Sequence, residues 1–187
     1  MDEVDRIVVE WNRQRPDLDV SPTHTLTRIS RLALLQAASF APIFARYGLT
    51  WGEYIVLAAL RRSGPPFRMT PTKLFSSILL SSGAMTNRLD RLEEMEMVRR
   101  LPDPNDRRGR LVELTAKGRR LVDRAVVRHL SKEQQLIAPL SRSEQQQLAK
   151  LLRKLLLSEP FRTNRPSPTP ASPAIARGTG TRRRPRR

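Results

Sequence analysis

Thr86 and Asn87 are neighbouring side chains whose chemistry suits the edges of DNA bases. The amide of asparagine can make two hydrogen bonds to adenine, and the methyl group of threonine can contact the methyl group of thymine. Ser81 and Ser82 stand where a helix would begin, and there hydroxyl groups, backbone N–H groups and the helix dipole favour a phosphate. Arg91, one turn beyond Asn87, is a candidate for a base or backbone contact. These five residues together predict a helix that contacts DNA.

A second group of candidate DNA contacts consists of Arg107, Arg108 and Arg110, three arginines within four positions. Residues 102–109 around them are rich in Pro, Asp, Asn and Gly, which favour turns. The arginines are therefore expected at the tip of a hairpin. Guanidinium groups at such a tip suit phosphates or a narrow minor groove.

Residues 69–115 supply the elements that would position these side chains. Thr70 and Pro71 open a first helix, as a capping hydroxyl followed by proline at the first helical position. A second helix, predicted from Ser81, has apolar residues at helical spacing. These apolar residues are Met85, Leu89, Leu92 and Met95. Strands at 97–101 and 111–115 then predict a two-stranded hairpin around the turn.

This order of elements resembles the winged helix-turn-helix domain of the MarR family of transcription regulators. The run Asp106-Arg107-Arg108-Gly109, with Leu114-Thr115 after it, matches the wing motif of that family. The run from Ser81 to Leu89 is similar to its recognition helix. The resemblance covers about residues 1–158.

The resemblance implies a mostly α fold with a small β-wing, an α+β architecture. It also implies an obligate homodimer through the N- and C-terminal helices, which binds a pseudo-palindrome in double-stranded DNA, most often as a repressor. Two recognition helices of a dimer would then lie about 34 Å apart, one turn of DNA. Arg108 matches the arginine that enters the minor groove. Asp106 matches the acid that orients the wing, by pairing with a nearby arginine.

The predicted organisation has four parts. Helices are expected at residues 2–14, 21–47, 50–60, 116–136 and 141–158, with Pro42 inside the second and a capping box at the start of the last. Residues 1–49 would be N-terminal dimerisation helices, 50–118 the DNA-binding domain, and 119–159 C-terminal dimerisation helices. Residues 160–187 would be a disordered basic tail, because Phe161 to Arg187 holds eight arginines, five prolines and no acid.

Composition narrows the classes of function. The formal charge of +17 and the pI near 11.6 point to a polyanionic partner. The chain has no cysteine, and its two histidines, His24 and His129, lie far apart, so no metal site is expected. No phosphate-binding loop, nucleophile elbow or catalytic triad is recognisable, which predicts neither an enzyme nor a cofactor. No signal peptide or membrane span is predicted, and a bacterial cytoplasmic, nucleoid-associated protein is expected.

Two functions from different classes fit these observations. The first is a sequence-specific regulator. The second is a non-specific architectural protein that coats DNA or RNA, to which the charge and the arginine-rich tail would contribute. A specific regulator should prefer its own site by a factor of about 10³ or more, whereas a coating protein should show little preference.

An effector site is implied by a closer resemblance, to a subgroup with an extra first helix that includes urate-responsive and PecS-like repressors. Trp11 matches the tryptophan of its ligand site, and Arg88 and Arg100 match its two arginines. The position of its aspartate holds Ile55 here, and nearby Glu53 is a partial substitute. Two arginines and a tryptophan suit an anionic aromatic ligand. The alternatives are that Trp11 packs in the core or at the dimer interface, and that the arginines pair with acids such as Asp90 or Glu93.

Overall fold

The computed structural model describes residues 1–78 and 85–162. Its helices are α1 (Glu3–Gln14), α2 (Thr23–Ala45), α3 (Trp51–Arg62), α4 (Pro71–Ser77), α5 (Met85–Glu94), α6 (Ala116–Ile137), α7 (Arg142–Leu156) and the short α8 (Glu159–Arg162). Its strands are β1 (Arg68–Met69), β2 (Val98–Asp103) and β3 (Asp106–Leu114). The predicted mostly helical fold with a small sheet is confirmed. The predictions for Ser81, Ser82 and most of the C-terminal tail fall on residues outside those described.

Hydrogen bonds between residues close in sequence fix the helix starts. Thr70 caps α4 by accepting the backbone N–H of Lys73 at 3.2 Å, with Pro71 at the first helical position. Ser141 and Glu144 cap α7 reciprocally, as the capping-box pattern predicts. The helices predicted at residues 2–14, 21–47, 50–60, 116–136 and 141–158 begin and end within two residues of the observed bounds.

The sheet differs from the predicted two-stranded hairpin. It has three antiparallel strands in the order β1-β3-β2, and the short strand β1 was not predicted. Strands β2 and β3 continue to Asp103 and Asp106, so only Pro104 and Asn105 separate them. Residues 106–110 therefore lie in β3 and not in a long loop, which corrects the predicted turn. The turn-forming residues predicted a long loop, but β2 is an edge strand of the sheet. Pro102, which has no backbone N–H to donate, can lie in an edge strand without leaving a hydrogen bond between strands unmade.

The core is centred on α3, which is buried over most of its surface. Val56, Leu57 and Leu60 have no measurable exposure. The predicted apolar face of α5 is confirmed, since Met85, Leu89 and Leu92 are buried against the same core. Helix α3 thereby connects the α2–α6 side of the molecule with the α4–α5–sheet side.

An aromatic cluster on α2, α3 and α6 encloses His129. Phe44 stacks on Tyr54 with ring centroids 4.2 Å apart, and the Tyr54 hydroxyl lies 3.1 Å from His129 Nδ1. Burial raises the pKa of Tyr54 to about 12. Burial also lowers the pKa of His129, an effect that the charge of Glu133 partly opposes. Burial among the rings thus favours the neutral form of the histidine.

Large apolar side chains remain exposed on α2, α6 and α7. The most exposed of these are Leu34 and Leu32 on α2, Val127 on α6 and Leu156 on α7, at 74%, 62%, 66% and 68%. No residue of α7 is buried. In contrast, α1 buries Val4 and Val8 against the rest of the chain. The apolar surface left uncovered by one chain therefore lies mainly on α2, α6 and α7, and less on the first helix, α1.

Gly118→Ala should destabilise the protein, although alanine normally favours a helix over glycine by about 1 kcal/mol. A Cβ at Gly118 would lie 2.1 Å from the backbone carbonyl oxygen of Met97. We expect a loss of about 1–3 kcal/mol in the free energy of unfolding, measured by urea denaturation. Ser131→Ala, at an exposed position of the same helix, is the control and should be neutral or slightly stabilising. An increase in stability for Gly118→Ala would contradict this packing.

His129→Phe should reduce the dependence of stability on pH. Because the folded-state pKa of His129 is lowered from 6.5, the unfolded chain binds the proton more readily, and stability falls as the pH drops below 6.5. The variant keeps an aromatic ring in the cluster but cannot be protonated. Melting temperatures between pH 5 and pH 8 should therefore change less in His129→Phe than in the wild type or in the control His24→Gln. Equal profiles for all three proteins would rule out His129 as the source.

Candidate nucleic-acid interface

The outward face of α5 presents two of the predicted base-reading residues. Thr86 and Asn87 are exposed, and neither side chain has a hydrogen-bond partner among the described residues. The opposite face of the helix is anchored by its buried apolar residues. Thr86 and Asn87 are therefore held on a fixed helix with their polar groups available to a partner.

Arg91 has partners within the chain. Its Nη1 lies 3.2 Å from Oε1 of Glu53, and its Nη2 donates to the carbonyl oxygen of Gly48 at 3.2 Å. The Glu53 carboxylate is 3% exposed and also accepts the backbone N–H of Thr50 at 2.6 Å. Glu53 is the buried partner and Arg91 is half-exposed, so truncating Arg91 would leave a buried carboxylate without this cation. Arg91 thus fastens α5 to the start of α3, a role that the sequence did not indicate.

The wing presents its three arginines without acidic partners among the described residues. Arg107, Arg108 and Arg110 are all exposed in β3. Among the described residues, Asp106 has no arginine side chain as a partner, which the resemblance implied, and instead accepts the backbone N–H of Arg108 at 2.9 Å. It therefore orders the backbone of the wing, which leaves the Arg108 guanidinium available. Gly109 makes this geometry possible, since a Cβ there would lie 2.9 Å from the Cβ atoms of both Asp103 and Asp106.

A buried acid holds the base of the wing. Glu113 is 6% exposed and lies between Arg68 of β1 and Arg99 of β2, at 2.8 Å and 2.5 Å. These three residues face one another across the sheet, because Glu113 is in register with both arginines. No sequence pattern used above indicated these three residues. The available signal was an acid in an otherwise apolar stretch of strand.

Arg100 connects the wing to α5. Its guanidinium lies 2.5 Å from Asp90 and 2.6 Å from Glu93, both on α5. The hydrogen bond to Asp90 is the main cause of the raised pKa of Arg100. Arg100 thus forms ion pairs with acids, which was the alternative considered to its ligand-binding role.

Arg88 lies in a crevice between α3 and α5, with a volume of about 520 Å³. Its guanidinium packs over Gly52, and its Nη1 is buried without a hydrogen-bond partner among the described residues. The crevice is lined by Thr50, Trp51, Gly52, Glu53, Asn87, Arg88 and Arg91.

The other predicted ligand residues do not meet Arg88 in this crevice. Trp11 is half-exposed on α1, Arg100 is paired with acids, and Ile55 lines a different cavity. Trp51 is the tryptophan beside Arg88. Of the three residues predicted to bind a ligand, only Arg88 lines this crevice.

Neither a membrane-spanning helix nor a group of potential metal ligands is found among the residues that the structure describes. Within residues 1–78 and 85–162, no helix is long and apolar enough to cross a membrane. The same residues contain no group of three or more His, Cys, Asp or Glu side chains that could hold a metal ion.

Comparisons with known proteins agree with this geometry. A family model described as MarR family matches residues 49–109. The chain is 37% identical over 150 residues to the HTH-type transcriptional regulator PecS of Dickeya dadantii (strain 3937), which covers 80% of this chain and 90% of that protein. It is 35% identical over 109 residues to the multiple antibiotic resistance protein MarR of Salmonella typhimurium, covering 58% of this chain and 74% of that one.

Solved structures show the same fold. A mutant MarR from E. coli complexed with operator DNA superposes with a TM-score of 0.63 at 28% identity, covering 78% of this chain and 97% of that one. Bordetella bronchiseptica BpsR, whose DNA binding is regulated by 6-hydroxynicotinic acid, gives a TM-score of 0.64 at 26% identity, covering 72% of this chain and 95% of that one.

Proposed function

The chain belongs to the MarR family, and from that premise we propose that it is a sequence-specific DNA-binding regulator of transcription that acts as a repressor. The observation that carries the proposal is the joint exposure of Thr86 and Asn87 on α5 and of the arginines on the wing. Asn87 and Thr86 would read base edges in a major groove, and Arg108 would enter the adjacent minor groove. The relatives matched over much of the chain are transcriptional regulators rather than enzymes. On this proposal the protein acts on the nucleoid, in the bacterial cytoplasm.

The proposed repressor is a homodimer. Its support is the exposed apolar surface of α2, α6 and α7, because exposed apolar patches mark sites of association. A second copy with the same surface would cover it by a two-fold contact. The operator would accordingly be a pseudo-palindrome with half-sites about one helical turn apart.

An anionic, aromatic effector would bind in the crevice at Arg88. The buried Nη1 of Arg88 needs an acceptor, and Trp51 offers a ring for stacking. The relative BpsR is regulated by 6-hydroxynicotinic acid, an aromatic acid, which supports this class of ligand. A ligand held by Arg88 would act directly on α5, the helix that carries Thr86 and Asn87. Trp11 would take part only if a second chain, or a movement of α1, brought it to the crevice.

Asn87→Ala and Arg108→Ala should weaken binding to operator DNA in different ways. Asn87→Ala should cost about 1–3 kcal/mol of binding free energy, mainly at one base position of each half-site. Arg108→Ala should weaken binding to all DNA and lower the slope of log K against log salt by about one for each phosphate that is no longer neutralised. The measurement is a gel-shift titration on DNA upstream of the gene, with unrelated DNA as competitor.

The wild type should form a discrete complex that survives the competitor. A smear that unrelated DNA removes equally well would overturn the proposal in favour of a non-specific architectural protein. A uniform loss of affinity for Asn87→Ala across all sequences would contradict its reading role.

Arg88→Met should abolish the response to the effector. We expect urate, phenolic acids or hydroxylated pyridine carboxylates to raise the melting temperature of the free wild-type protein and to release its DNA. Arg153→Met, on the exposed face of α7, is the matched control and should respond like the wild type. The effector proposal fails if none of these anions shifts the melting temperature, or if Arg88→Met responds as strongly as the control.

A further inference from the structure

Asn87 stands where two surfaces of α5 meet. It is exposed beside Thr86 on the outward face, and it also lines the crevice between α3 and α5 together with Arg88 and Arg91. Successive residues of a helix are turned by about 100°, so Asn87 lies between Thr86 and Arg88 around the helix axis. Thr86 does not line the crevice. One side chain is therefore shared by the proposed base-reading face and the crevice.

The charges of the crevice favour an occupant with one negative charge. Glu53 and Arg91, which both line it, are paired with each other at 3.2 Å. Arg88 has no acidic partner among the described residues, and its Nη1 is buried there without a hydrogen bond. A buried donor without an acceptor is unfavourable, and a carboxylate would satisfy it with a charge-assisted hydrogen bond. Arg88 is thus the cation that remains to be neutralised from outside.

The shape of the crevice suits a small aromatic acid. Its volume of about 520 Å³ lies within the range of small-molecule sites, about 300–1,000 Å³. Trp51 contributes an aromatic wall. Gly52 leaves the space that the Arg88 guanidinium occupies, since a Cβ there would lie 2.5 Å from Nε of Arg88. At the rim, the amide of Asn87 offers both N–H donors and a carbonyl acceptor to a partner.

The amide of Asn87 cannot bind DNA and a ligand at the same time. Bidentate recognition of adenine uses an N–H donor and the carbonyl oxygen of the asparagine together. An aromatic acid that extends from Arg88 to the rim would take a hydrogen bond from the same amide. DNA seated on Asn87 would in turn cover the rim of the crevice. Occupation of one surface therefore opposes occupation of the other.

We propose that an aromatic acid with one negative charge binds the crevice through both Arg88 and Asn87, and excludes operator DNA by direct competition. This inference rests on the proposed function, because it specifies how an effector at Arg88 releases DNA. It requires no change in the distance between the two recognition helices of a dimer. Effector and operator should therefore not bind the same subunit together.

The test uses the full-length protein, an operator duplex defined by footprinting, and the anions 6-hydroxynicotinate, salicylate and urate. The compound 6-hydroxynicotinamide, which has the ring of the first anion without its carboxylate, is the chemical control. Asn87→Ala is compared with Thr86→Ala, the neighbouring position outside the crevice. Both residues are exposed, so both variants should melt at the temperature of the wild type when no anion is present.

At least one of the three anions should raise the melting temperature of the wild type, and 6-hydroxynicotinamide should not. Asn87→Ala should bind that anion about threefold to tenfold more weakly in isothermal titration calorimetry, because one hydrogen bond is lost. Thr86→Ala should bind the anion within about twofold of the wild type. Both variants should bind the operator more weakly, so the loss of anion affinity separates Asn87 from its neighbour.

Direct competition also has a signature in the operator titration. The apparent Kd for the operator should rise with the concentration of the anion without levelling off, by about a hundredfold or more at 100 times the dissociation constant of the anion. An anion that acted only through a conformational change would still bind the DNA complex. The apparent Kd would then level off at the coupling factor between the two sites.

Other results identify which proposal has failed. If the wild type does not bind the operator specifically, the regulatory function is wrong, and the inference falls with it. If it binds the operator but none of the three anions raises its melting temperature, the effector proposal and direct competition are both wrong. If an anion binds, but Asn87→Ala binds it as tightly as Thr86→Ala or the apparent Kd levels off, the anion does not share the base-reading face. The inference alone is then overturned.

Discussion

The packing of α3 is the constraint on which the rest of this structure depends. Its apolar residues contact α2 and α6 on one side and α4, α5 and the sheet on the other. Burying each of Val56, Leu57 and Leu60 contributes about 1.5–3 kcal/mol, so the helix has little freedom to shift without a large loss of stability. The position of the recognition helix is thereby defined relative to the α2–α6 side. A change on either side of the molecule reaches the other through this helix.

Two acids of this strongly basic chain serve as internal anchors. Glu53 and Glu113 are the acids most deeply buried in the described structure, and each is paired with arginine. Glu53 holds Arg91 of α5, and Glu113 holds Arg68 and Arg99 of the sheet. The arginines at the wing tip are left without such partners among the described residues. Their positive charge is consequently on a surface that a polyanion can reach.

Features of the sequence that act over a few residues predicted the structure well. The caps at Thr70 and Ser141 involve hydrogen bonds three residues away, and the apolar face of α5 follows from its own spacing. Features that depend on distant residues were missed or misread. Strand β1 exists only because it pairs with β3, more than forty residues further on. The partners of Arg91 and Arg100 likewise depend on tertiary structure that no local pattern contains.

The ion pairs from Arg100 to Asp90 and Glu93 make the wing and the recognition helix one mechanical unit. The backbone N–H of Arg100 also donates to Glu93, so the link includes the strand itself as well as a side chain. A rotation of α5 by a few degrees must carry the hairpin with it. The protein would then lose its proposed contacts with the major and the minor groove of the DNA in the same movement. On the proposed function, occupancy of the operator would therefore depend on α5 and the wing moving together, and not on each interaction separately.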